Sequence, residues 1–223
     1  MYLNHNVMHA LSSKFLLLGL IIPLFAQAQY GDWKKKKDKD GVKVYVREVE
    51  NYSLKEFKGE TFIEAPLSAI VFLINDTENL PEWMYSCKEA GRVKEFNSLS
   101  GINYNVTETP WPLSDREIVV RYNISQDPNS LAVKIDLKAV PDEMPANSDN
   151  VRIEEMSGFW ELTPKDNGVH VVYQVISEAG GNVPDKLANA FIVRMPHETL
   201  TSMKRALKSA ERKNAKHPDI IDP

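Results

Sequence analysis

The side chains able to do covalent or acid–base chemistry in this chain are few and scattered. Cys87 is the single cysteine, so no intramolecular disulfide, cysteine zinc site or CxxC redox pair can form, and it reads as a small core residue. Beyond residue 28 the histidines are His170, His197 and His217, too dispersed for metal-ligand spacing. No GxSxG or HExxH motif is present. Asp115-Arg116-Glu117 follows a proline-containing turn, where ion pairing is the simpler role. Arg116 and Arg152 are expected to pair with carboxylates at a sheet edge, because a buried guanidinium requires partners. The remaining polar groups are isolated handles in apolar strands: Tyr122, Tyr173 and Glu155. Glu155 is in step with Val151 and Ile153 and faces inward unless a bulge turns it to solvent. A few polar groups among apolar neighbours suit the orientation of a bound hydrophobic molecule.

Composition sets the frame for those handles. The chain has 223 residues, 43% apolar and 26% charged, with a net charge of −4. That excludes a disordered chain, and the acidic balance argues against a general nucleic-acid binder. Near the N-terminus, Lys14 precedes an apolar run over residues 15–25, interrupted only by Gly19 and Pro23, and Ala26-Gln27-Ala28 follows. The run is too short to span a bilayer, and small residues stand where a signal peptidase reads, so residues 1–28 are expected to be a secretory signal. Residues 29–223 would then form an exported, periplasmic or secreted protein of 195 residues at −5, with Lys14 removed and no acid lost.

Periodicity places the elements that hold the handles. Asp40-Gly41 precedes Val42, Val44 and Val46, a hairpin followed by a strand. A strand over 57–65 leads to Pro66 and a helix ending near Asn75, then a short helix over 80–84. Strands are expected over 87–96, 102–109, 117–125, 131–140, 151–163 and 170–178. From Pro184 to about Ala210, apolar residues at steps of three to five trace one face of a long helix, with Pro196 positioned to kink it. Its basic end, from Lys204 to Lys216, suits a helix C-terminus or an anionic surface. Residues 213–223 are expected to be a flexible tail. The order describes one α+β domain over residues 29–212, a helix-grip in which a curved antiparallel sheet wraps a long C-terminal helix.

Four stretches carry a resemblance to a known family: Asp40-Gly41-Val42-Lys43-Val44-Tyr45-Val46-Arg47; Pro81-Glu82-Trp83-Met84 with Cys87; Thr109-Pro110-Trp111-Pro112-Leu113-Ser114-Asp115-Arg116-Glu117; and Gly180-Gly181-Asn182-Val183-Pro184. In this order and spacing the chain resembles the steroidogenic-acute-regulatory-related lipid-transfer (START) domain, of the helix-grip or Bet v 1-like superfamily. The resemblance implies an apolar tunnel between sheet and helix that holds one lipid or similar ligand, with no cofactor. The expected lining is Tyr104, Val106, Ile118, Val120, Tyr122, Ile135, Ile153, Glu155 and Tyr173 from strands, with Phe191, Met195 and Met203 from the helix. Segments 126–130 and 141–150 are candidate gates. The position where sterol-binding members carry an arginine matches Tyr122, which argues against a sterol. A monomeric carrier with transient membrane contact is expected. A cyclase-like enzyme acting on a hydrophobic molecule in the same pocket, or a ligand-free interaction module, are the alternatives.

Overall fold

The structure is a computed structural model that describes residues 30–181 and 183–223. The expected signal segment and Asn182 lie outside the described residues.

Strands β1 (Lys34–Lys39) and β2 (Val42–Arg47) form the expected hairpin. Asp40 and Gly41 both take positive φ, 57° and 72°, the backbone that a tight two-residue turn demands and that Asp-Gly tolerates. After β3 (Glu56–Ile63) come helix α1 (Leu67–Asn75) and a 3-10 turn over Thr77–Glu82. Six further strands complete the main sheet: β4 (Cys87–Asn97), β5 (Ser100–Thr107), β6 (Arg116–Gln126), β7 (Val133–Ala139), β9 (Met156–Lys165) and β10 (Gly168–Ser177). The spatial order is β1-β2-β3-β10-β9-β7-β6-β5-β4, antiparallel throughout, so the sheet is a curved meander in which β10 returns to pair with β3. Both free edges resist further pairing: β1 carries four lysines before Asp38, and β4 is interrupted by three register shifts.

The strand expected over 151–163 is broken. Val151–Arg152 forms a two-residue strand, β8, which leaves the main path to pair in parallel with the start of β6. The break has a cause: Arg152 is drawn toward Glu117 on β6, and the chain rejoins the sheet only at Met156.

Helix α2 (Asp185–Ala206) grips the sheet through its C-terminal half. A side chain at Gly59 of β3 would begin with a Cβ only 2.7 Å from Leu200 Cδ1 and 3.1 Å from Pro196 Cβ. Only glycine lets helix and sheet approach this closely. Leu200 and Met203 are completely buried there, beside Val42, Val44 and Trp160.

Residues 213–223 dock instead of fraying. Short helix α3 (Ala210–Asn214) is followed by His217 and Ile220, both buried. The Ser68 backbone N–H and hydroxyl donate to the Asp222 carboxylate at 2.8 and 2.7 Å. Pro66 gives α1 no side-chain cap, so Asp222 satisfies the exposed donors of that helix from the far end of the chain. Gln126 holds both backbone groups of Ile221.

Candidate functional site: an apolar cavity under the closing helix

North of the Gly59 contact, towards its own N-terminus, α2 no longer touches the sheet closely, and a cavity of about 590 Å³ opens between them. Its floor comes from alternate residues of β5, β6, β9 and β10, and its roof from Leu187, Phe191, Ile192 and Met195 of α2. The filled and hollow halves of the concave face meet at Pro196, which has no N–H to complete the helical ladder.

The structure brings seven of the expected residues onto the cavity wall: Ile118, Val120, Tyr122, Ile153, Tyr173, Phe191 and Met195. Ile118, Val120 and Tyr122 alternate on β6 as their spacing requires. Tyr173 stacks on Trp160 with ring centroids 3.8 Å apart and planes 4° from parallel, forming a flat aromatic wall. Burial pushes the Tyr173 hydroxyl well above the usual phenol range.

Five expected residues lie elsewhere. Ile135 and Met203 face inward but fill the solid half of the core. Glu155 sits in the break between β8 and β9 and is exposed. Tyr104 and Val106 face the convex side, where they form a second small core with Ile102 and Val119, against Val140 and Met144. The inversion is a matter of parity: in β5 the apolar residues face out, and Asn103, Asn105 and Thr107 face the cavity. The pairing register contains the signal that alternation within β5 lacks, since Val106 lies opposite Glu117, whereas Asn105 lies opposite Ile118.

Glu117 explains why the convex face accepts apolar residues. It is fully buried and receives hydrogen bonds from Tyr104 Oη (3.1 Å), Asn147 N (2.9 Å), Asn150 Nδ2 (3.4 Å) and Arg152 Nε (3.0 Å). Arg152 also donates to the carbonyls of Pro141, Met144 and Pro145. Burial alone would raise the Glu117 pKa, but the donors outweigh it and hold the carboxyl below the usual range. The segment 141–150, expected as a gate, is thus pinned over the convex core, away from the cavity. The other expected gate, 126–130, is a turn in which Asp127 accepts from Asn129 N, Ser130 N and Ser130 Oγ.

The mouth is built from two segments that the expected gates omit. The loop over residues 109–113 contributes Trp111, 92% exposed, and Leu113; the start of α2 contributes Leu187, 41% exposed. Arg116 ties these together by donating to the carbonyls of Ser114, Ala179 and Gly180. Its partners are therefore backbone carbonyls rather than the carboxylate expected, while Arg152 does take one. Cys87, half-buried against the main core, is chemically quiet, its thiol pushed up by burial to about 11. No group of acidic, cysteine and histidine side chains among the described residues could hold a metal ion.

Comparison with known proteins agrees with this architecture. The sequence pattern of the START domain matches residues 24–213. An uncharacterised protein of Pseudomonas aeruginosa is 32% identical over 192 residues, covering 86% of this chain and 94% of the relative. The structure of the STAR-related lipid transfer protein of Xanthomonas axonopodis superposes with a TM-score of 0.74 at 33% identity, over 79% of this chain and 99% of that one. Human STARD10 shares the fold at 18% identity, with a TM-score of 0.67 over 80% of this chain and 74% of its own. The Zhui aromatase/cyclase of a Streptomyces species shares it more distantly, at 11% identity and a TM-score of 0.51 over 71% and 98% of the two chains. The family pattern spans nearly all of the described chain and the helix-grip architecture accompanies it: this chain belongs to the START domain family.

Proposed function

We propose that the protein holds one hydrophobic molecule non-covalently in the cavity and carries it between apolar environments. The observation that carries this reading is the cavity itself. At roughly 24 cal/mol per Å³, about 590 Å³ of apolar void would cost about 14 kcal/mol if kept dry and empty, as much as a whole domain's stability. Its open mouth reduces that figure by admitting water, yet an apolar wall gains most from an apolar occupant. The volume lies within the roughly 300–1,000 Å³ typical of small-molecule sites. Membership of the START family, and the lipid-transfer name of the Xanthomonas relative, support the same ligand class.

A carrier is favoured over a cyclase-like enzyme by the disposition of the acids. Glu155, the acid on which a catalytic reading would rest, is exposed and off the cavity, Glu117 is consumed by the convex network, and of the two acids on the cavity wall, Glu108 and Glu178, the second is committed to the Glu154 backbone N–H at 2.7 Å. Trp111 and Leu187 at the mouth are suited to brief contact with a bilayer during exchange. The signal-like residues 1–28 support export to the periplasm or outside the cell. The protein is proposed to act as a monomer.

Solvent extraction of the purified protein followed by lipid mass spectrometry tests the reading. A consistent hydrophobic species, at about one per chain in native mass spectra and unchanged after prolonged incubation, is expected. Empty protein together with failure to take up an apolar dye such as Nile red would refute it.

A further inference from the structure

The end of the cavity remote from the mouth is closed from outside by the C-terminal segment. Strand β6 runs between the two ends. Its first residue, Arg116, is tied to the carbonyls of Ala179 and Gly180 at the mouth. Tyr122 lies about 20 Å further along the strand, on the cavity wall. Gln126, where the strand stops, holds both backbone groups of Ile221. At this end the cavity meets Ile74, Leu80 and Met84, so its rear wall is the last turn of α1, the 3-10 turn and the residues just after it.

Behind that wall lies a strap made of α3 and residues 215–223. Arg212 of α3 donates to the Glu82 carboxylate at the end of the 3-10 turn. The His217 backbone N–H donates to the Ser68 carbonyl at 3.2 Å, and its ring Nε2 meets the Ser98 carbonyl at 3.0 Å. Asn75 Nδ2, at the end of α1, reaches that same carbonyl at 3.4 Å. Asp222 then takes both donors of Ser68. The strap thereby staples α1 and the 3-10 turn to the turns that end β4 and β6.

Helix α1 depends on this cover. Seven of its nine residues are buried, and a helix buried nearly all round needs a layer on both sides. The sheet core is one layer and the strap is the other. From the cavity side the wall is held by Arg92, whose Nη2 donates to the Asn75 carbonyl at 2.7 Å and whose Nη1 donates to the Tyr122 hydroxyl.

Of the two layers the strap is the weaker. Residues 215–223 are ordered for two buried side chains, His217 and Ile220, while Ile221 next to them stays 65% exposed. Much backbone order for little burial marks a segment that opens locally, well before the sheet does. Its departure strips α1 of its outer layer and frees the rear wall from the turns after β4 and β6.

We propose that the C-terminal strap latches a second portal to the cavity, at the end opposite Trp111, and that its release lets a ligand pass between α1 and the turns after β4 and β6. Exchange by this route needs no contact between the mouth and a bilayer. This deepens the carrier reading and rests on it.

The test loads the full-length protein with Nile red and follows its dissociation into an excess of serum albumin, a soluble acceptor. Gln126→Ala combined with Asp222→Ala removes the attachments at the end of the strap. The pair should speed dissociation about tenfold or more, the worth of one or two net hydrogen bonds, and raise hydrogen exchange of the α1 amides alongside. Glu117→Ala, which weakens the convex network away from the cavity, controls for lost stability as such and should leave the dissociation rate unchanged. An unchanged rate in the double variant, or an equal gain in Glu117→Ala, overturns the latch while leaving the carrier reading intact. In the unmodified protein the amides of 215–223 and of α1 should exchange together and ahead of those of β9 and β10. That measurement decides the matter even if a variant fails to fold, because an α1 protected as long as the central strands overturns the portal. Failure of the unmodified protein to take up Nile red overturns both.

Discussion

Removal of the Glu117 carboxylate is the sharpest test of how the sheet divides its two faces. Glu117→Ala would strip a completely buried guanidinium partner from Arg152, whose side chain is 7% exposed, and would leave the Tyr104 hydroxyl and the Asn147 N–H without their acceptor. Breaking a buried pair by deleting one member typically costs about 3–5 kcal/mol. Three backbone carbonyls still hold Arg152, which places the expected loss near the lower end, about 3 kcal/mol. For a domain of this size each kcal/mol moves the melting temperature by about 2–4 °C, so a fall of about 6–12 °C is expected in calorimetry or circular dichroism. Tyr104→Phe should cost about 1 kcal/mol alone and almost nothing in the Glu117→Ala background, because the two share one hydrogen bond. A melting temperature lowered by less than 2 °C, or fully additive effects of the two substitutions, would refute the convex network as the reason Tyr104 turns away from the cavity.

The same carboxyl makes a pH prediction whose sign is fixed. Its pKa in the folded protein lies below the usual value, about 4.3 for an unfolded glutamate. Its stabilisation is therefore complete above about pH 4.3 and lost as pH falls through the lower folded value. Acid titration of stability should show this positive slope in the unmodified protein and a shallower one in Glu117→Gln. Occlusion of the cavity by Val120→Trp, on the wall opposite the helix, should abolish uptake of Nile red and extractable lipid without lowering the melting temperature; normal uptake would move the site elsewhere. Trp111→Asp removes the most exposed apolar side chain at the mouth and should slow lipid exchange between vesicles by about tenfold or more, given about 1.5–3 kcal/mol for burying such a side chain, with lipid content unchanged. Asp222→Ala deletes the cap on α1 and should cost about 0.5–2 kcal/mol in thermal unfolding.

What the sequence makes legible here follows from which forces act locally. The β1–β2 turn is written in Asp40-Gly41, the start of α1 in Pro66, and the long helix in its apolar period, because each depends on neighbours along the chain. The docked tail was opaque for the opposite reason: Asp222 acts on Ser68 across 154 positions, and nothing near Asp222 marks it as a helix cap. Glu155 failed through β8, whose departure from the sheet is dictated by the reach of Arg152 to a carboxylate on another strand.

The error in β5 has a more general cause. Alternation identifies an apolar face and a polar face, and for a sheet with one wet side the apolar face is the inner one. This sheet has no such simple choice, because residues 141–150 bury part of its convex side around Tyr104 and Val106. With both faces covered, a strand is free to present its polar residues to the interior, and it does so only where the interior is hollow. Packed against side chains, Asn103 would be an uncompensated amide; facing a cavity, it can be satisfied by whatever enters. The polar face of β5 and the void above it are therefore one feature, and the inversion of parity that defeats a reading by alternation is itself the mark of the binding wall.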